Sequence, residues 1–189
     1  AIDDVTGYDE VAGITNLLGA EKLNGLSMIH VLGNHEYYGD ADAERASALF
    51  ALDEAKSGSY YSVTYGDVYV AVINYTATNA DLNEALDWMV KDAQASNATW
   101  KVLTMHQPPY YTNANGGNAP INTYVPAAAE KAGIDVVFSG HDHSLARTNP
   151  LTGGEIDEKN GILYYIGGSS GEKSYGITSQ TVFDYEKTF

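Results

Sequence analysis

The sequence contains no cysteine, which removes disulfides and thiolate metal sites at once. Any metal held by this chain takes nitrogen and oxygen ligands. Basic residues are scarce: 10 lysines and arginines stand against 25 aspartates and glutamates, giving a formal net charge of −15 and a pI near 4.4. Such a surface repels phosphate backbones, so nucleic-acid binding through a basic face is excluded. No apolar run approaches the roughly 20 residues of a membrane helix, and no signal peptide is visible at AIDDVTGYDE. The first residue is alanine rather than methionine, which fits removal of whatever preceded Ala1.

Hydrophobic residues make up 44% of the 189 positions, enough for a packed core in a single domain over 1–189. The 15 tyrosines, the 19 glycines and a supply of Asn and Thr, set against so few cations, suit an extracellular or cell-surface protein. Apolar spacing predicts helices over Tyr8–Leu18, Asp40–Ala55, Asp81–Ala95 and about Val125–Ala132. In the third of these, Leu82, Leu86, Met89 and Val90 share one face. A turn is expected at Asn24-Gly25. Strands are expected in LSMIHVLG ending at Gly33, on either side of Gly66-Asp67 in SYYSVTYGDVYVAVINY, in WKVLTMH, in IDVVFSG, in GILYYIGG and in TVFDY, with a Gly-rich turn near Gly153. The stretches NANGGNAP and SSGEKSYG read as loops. Strands alternating with helices predict an α/β fold, in which ligands bind beyond the carboxyl ends of strands.

Four of the five histidines stand just past such ends: His35, His106, His141 and His143. If those strands share one sheet, the imidazoles converge on one edge. His141 and His143 are two apart, a spacing that points both rings to one side of an extended segment. Neutral imidazole is the commonest metal ligand, and Asn34 offers an amide oxygen from the same edge. Together these residues predict a metal site. His30 lies within a predicted strand and reads as a core or supporting histidine.

The blocks GNHE at Gly33–Glu36, MHQPPY around His106 and GHDH at Gly140–His143, in that order, resemble three signature blocks of the calcineurin-like metallophosphoesterases. Purple acid phosphatases are the nearest branch, and LDWMVKDAQASNATWKVLTMHQPPYY, AGIDVVFSGHDHSLART and YYIGGSSG share their character. The resemblance implies a layered sandwich of β-sheets flanked by helices and a dinuclear site of divalent ions, Zn, Mn, Fe or Mg. On that pattern Asn34, His106 and His141 ligate one ion and His143 the other. His35 stands near the phosphate and the leaving group as the catalytic residue. Glu36 and Asp142 orient neighbouring groups, and Tyr110 lines the pocket. The substrate is a small phosphorylated molecule, and the reaction is hydrolysis of a phosphate mono- or diester.

The family's Asp-x-His and Gly-Asp-x-x-Asp blocks do not occur in this sequence. AIDD fits directly after a Gly-Asp pair, which would place Asp3 at the end of the second block. The expectation is therefore a phosphoesterase domain incomplete at its N-terminal side, inactive alone, with an exposed sheet edge through which copies self-associate. Two other readings compete with it: a non-catalytic surface domain that keeps the fold, and a mononuclear metal-binding module built on Asn34, His106 and His141. Asn74-Tyr-Thr76 and Asn97-Ala-Thr99 match the glycosylation pattern.

Overall fold

The structure, a computed structural model, describes residues 28–37, 59–76, 78–113, 117–168, 173–178 and 182–187. The helices expected at Tyr8–Leu18 and Asp40–Ala55, the turn at Asn24-Gly25, and Asp3 lie outside the described residues.

The first regular unit is a hairpin of β1 (Tyr60–Tyr65) and β2 (Val68–Ile73). Gly66 turns it at φ 58°, in the left-handed region that two-residue hairpins require and glycine enters without strain. Helix α1 (Asn79–Ala95) starts at Thr78, whose hydroxyl accepts from the Asp81 backbone N–H at 3.2 Å. The expected face is buried, with Ala85 and Ala93 joining Leu82, Leu86, Met89 and Val90. Strand β3 (Trp100–Met105) returns parallel to β2. Helix α2 (Ala119–Ala132) leads to β4 (Val136–Ser139), which runs parallel to β3. Strands β5 (Leu145–Thr148), β6 (Leu151–Thr152), β7 (Glu155–Ile156), β8 (Leu163–Gly167) and β9 (Phe183–Lys187) follow.

Seven strands form one mixed sheet in the order β1-β2-β3-β4-β8-β5-β9, with β6 and β7 as a separate small hairpin. Strand alternation assigns the two faces. Tyr69, Ala71, Ile73, Leu103, Met105, Val137 and Tyr164 share the core with the buried faces of α1 and α2. Asp92 of α1 fastens the helix to the hairpin, accepting from the Ser62 hydroxyl at 2.7 Å and the Tyr69 hydroxyl at 2.8 Å. On the other face, cross-strand register aligns Tyr65 with Val68 and Trp100, and Phe138 with Tyr165. Tyr65 is 89% exposed, Trp100 58% and Phe138 47%.

Three elements depart from expectation. Helix α2 begins at Ala119, six residues before the predicted start, because Pro126 is an interior position and not the first turn. An interior proline costs roughly 3 kcal/mol, and burial of Ile121, Val125, Ala129 and Ala132 on the core outweighs it. The segment expected as a strand ending at Gly33 is irregular over 28–33. One ladder-like rung forms there, Tyr75 N–H to Leu32 O at 2.9 Å, while the Leu32 N–H goes to the Asn74 side chain at 2.7 Å. Strand β5 was not legible. SLART has too few apolar residues to show alternation, and pairing with β8 and β9 makes it a strand.

Candidate metal centre

Because β3 and β4 are adjacent and parallel, their carboxyl ends lie side by side. The chain leaves β3 directly into His106 and leaves β4 through Gly140 into His141. The Gly140 N–H donates to the His106 carbonyl at 2.9 Å, which sets the two exits in register. The rings meet edge to face with centroids 4.9 Å apart, and His141 Nδ1 lies 3.0 Å from His106 Nε2. The same Nε2 lies 2.8 Å from the Asn34 amide oxygen, carried by a short 3₁₀ turn, Asn34–Tyr37.

Gly33 allows this approach. A Cβ there would fall 2.7 Å from His106 Nδ1 and 2.8 Å from Cε1, inside contact distance of the ring. Glu36, 4% exposed, holds the turn from within, its carboxylate accepting from the Gly33 N–H at 2.6 Å.

The donor chemistry fits a divalent cation. One imidazole nitrogen faces both an amide oxygen and a second imidazole nitrogen, and one proton cannot bond both, whereas these three groups are all ordinary ligands of a borderline-hard ion. Among the described residues, no three His or carboxylate side chains gather into such a group. The cluster that does form has an amide as its third member. Burial, and then the charge of His141, lower the His106 pKa to about 3, which keeps this imidazole neutral with a lone pair to give.

A pH dependence follows from that depression. Between about 3 and the ordinary 6.5, the unfolded chain binds a proton at His106 that the folded chain refuses. The stability associated with neutral His106 is full above 6.5 and falls as pH drops toward 3. Thermal melts at pH 7.5 and 4.5 are expected to show a lower midpoint at 4.5, and His106→Gln is expected to narrow the gap.

The remaining predicted site residues are placed as follows. His35 follows Asn34 in the 3₁₀ turn, near enough for its charge to depress His106. His143 stacks on Tyr175, ring centroids 4.7 Å apart at 27°, and is near enough for its charge to act on His106. Burial lowers the His143 pKa, and the charge of Lys173 pushes the same way. Asp142 is fully buried, with its carboxylate on the Thr112 N–H at 2.6 Å and the Thr112 hydroxyl at 3.0 Å. Burial raises its pKa against those hydrogen bonds. Tyr110 packs on Tyr164 with centroids 4.7 Å apart, its hydroxyl close to Gly154 of the β6–β7 turn. His30 bonds through its backbone N–H and carbonyl to the Tyr61 hydroxyl, at 3.0 and 2.7 Å. The sequence reading missed Thr112, Ser144, Asn74 and Tyr175, common residue types whose importance depends on partners 30 or more residues away.

Comparison with known proteins bears on the fold and the family. The family model described as calcineurin-like phosphoesterase matches residues 4–145. Purple acid phosphatase 15 of Arabidopsis thaliana is 29% identical over 154 residues, covering 75% of this chain and 29% of that protein. Purple acid phosphatase 17 of the same plant is 26% identical over 139 residues, covering 61% of this chain and 40% of that protein. The chain therefore spans between about three tenths and two fifths of the length of these relatives. The fold of a purple acid phosphatase from yellow lupin seeds superposes with a TM-score of 0.67 at 16% identity, covering 86% of this chain and 32% of that one. The layered α/β architecture expected from the sequence is the one found, and the chain belongs to the calcineurin-like phosphoesterase family.

Proposed function

We propose that this chain, read as one phosphoesterase domain over 1–189, carries part of the active site of a metal-dependent hydrolase of phosphate mono- or diesters. The observation that supports this most is the convergence of Asn34, His106 and His141 beside the carboxyl ends of β3 and β4 in a chain of this family. These three would hold one divalent ion and His143 would belong to the ligand set of a second. Zn, Mn, Fe and Mg are all compatible with nitrogen and oxygen donors. Such ions, when bound, supply neutralisation of phosphoryl charge and activation of water.

The chain's own groups have distinct tasks in this reading. His35, on the same turn as Asn34, faces the leaving group and gives it a proton. Neutral His106 keeps its lone pair for ligation, and Glu36 fixes the turn that presents Asn34 and His35. The four proposed ligands include no carboxylate to bridge two ions, so the chain by itself is expected to bind one ion or none and to hydrolyse little. Self-association through an edge strand, β1 or β9, and an extracellular or cell-surface setting belong to the same proposal.

A specific observation favours a second reading, that of a mononuclear metal-binding module. Asn34, His106 and His141 lie in direct contact, whereas His143 is stacked on Tyr175. Elemental analysis and p-nitrophenyl phosphate hydrolysis, on this chain and on the whole protein that carries it, separate the two. Two ions and hydrolysis by the whole protein, with a bound ion lost in His141→Ala, are expected. One ion without hydrolysis in either would give the module; no ion and no hydrolysis in either would sink both.

A further inference from the structure

His141 and His143 both sit in the left-handed region, at φ 66° and 48°. Non-glycine residues pay for that conformation and persist in it only where the surroundings over-determine them. Between them stands Asp142, 0% exposed and pointing away from the histidines' contacts into a buried polar cluster. Its Oδ2 accepts from the Thr112 backbone N–H at 2.6 Å and the Thr112 hydroxyl at 3.0 Å. Because the Thr112 proton is directed to Asp142, the Ser144 hydroxyl, 2.6 Å from Thr112 Oγ1, donates to Thr112. The Asn113 amide donates to the Asp142 carbonyl at 3.1 Å, and the Asp142 N–H donates to the Gly140 carbonyl at 2.8 Å.

Thr112 is six residues beyond His106, so this cluster ties the loop after β3 to the loop after β4. It reaches further. The Thr112 carbonyl accepts from the Thr178 N–H at 2.5 Å, and three residues earlier Tyr175 stacks on His143. Asp142, Thr112, Thr178, Tyr175 and His143 thus close a circuit of contacts around the second histidine of the pair.

We infer that Asp142 is a positioning residue: anchored on Thr112, it forces His141 and His143 into left-handed backbone and turns both rings to the ligand side. A network of this kind is fully satisfied only in one arrangement, so it selects that arrangement. The inference rests on the metal reading above only for its consequence, the shape of the ligand set. The positioning itself is a property of the metal-free chain.

The test uses Asp142→Ala, Asp142→Asn and Thr112→Val. In the asparagine variant an amide oxygen takes the Oδ2 place and the NH₂ takes that of Oδ1, which has no hydrogen-bond partner among the described residues. Co²⁺ titration followed by visible absorption reads the ligand geometry. Asp142→Ala is expected to weaken Co²⁺ binding about 10–100-fold and to change the bands, Thr112→Val to do so less, and Asp142→Asn to recover most of the wild-type spectrum. In parallel, ¹⁵N-histidine spectra of the metal-free proteins are expected to show the His141 and His143 rings shifted in Asp142→Ala and those of His30 unmoved. A purely structural Asp142 would lower the melting temperature and leave both spectra as they were, which overturns the inference. If wild-type chain takes no Co²⁺, an outcome the metal reading already allows for this chain, the metal-free imidazole spectra alone decide the positioning. If Asp142→Ala does not fold, Thr112→Val decides by the same spectra.

Discussion

Replacing Gly33 by alanine is expected to disable the site while leaving most of the fold intact. The new methyl would stand 2.7–2.9 Å from three atoms of the His106 ring, closer than carbon and nitrogen approach one another. His106 cannot step aside freely, because Asn34 and His141 hold its Nε2 from two directions and the sheet fixes its backbone. Either the ring leaves its partners or the turn that bears Asn34 and His35 moves outward. Both displace a reacting group by about an ångström, a shift that can cost on the order of 100-fold in rate. On the proposed function, any ion binding seen in calorimetry is expected to be lost and any phosphoester hydrolysis to fall at least about 100-fold in kcat/KM, with little change in the circular dichroism spectrum. Wild-type ion affinity in Gly33→Ala would show that the ring has room to yield, and would remove the close approach from the account of the site.

The largest effect on stability is expected from Leu103→Ala. Leu103 is 0% exposed on β3, between β2 and β4 and within the core shared with α1 and α2. Close packing on every side leaves the cavity little means of collapsing. Leucine truncations at such positions cost about 2–5 kcal/mol, which for a chain of 189 residues lowers Tm by roughly 5–15 °C. Differential scanning calorimetry measures it directly. A change below about 1 kcal/mol would mean that β3 is not the centre of a rigid core.

The parts of the fold that were legible in the sequence are those governed by local rules. The β1–β2 turn is announced by Gly66-Asp67, and α1 by an apolar stripe that begins after Thr78. Strand β5 and the start of α2 depend on partners that the local sequence does not name: two neighbouring strands in one case, core burial past Pro126 in the other. The site divides in the same way. His106 and His141 were readable because histidines at the exits of adjacent parallel strands must come together. The stacking of His143 on Tyr175 and the left-handed backbone at both histidines were not readable, since they depend on partners distant in the sequence. The packing of Tyr110 on Tyr164 beside the β6–β7 turn was not readable either, since Tyr164 lies far along the chain.

The sheet face opposite α1 and α2 has a consequence for how this chain behaves in a test tube. Tyr65, Trp100 and Phe138 present an aromatic surface to water, while the same molecule carries fifteen more negative than positive charges. Colloidal behaviour is then a contest between two forces of different range. In dilute buffer the charge repels copies across about 30 Å, well before apolar surfaces can meet. In molar salt the repulsion shrinks to about 3 Å and the apolar attraction strengthens in sulfate or phosphate. Beyond any pairing through an edge strand, the chain should therefore stay clear in low salt and become turbid as ammonium sulfate rises, at a threshold that moves higher when Trp100 or Phe138 is made polar.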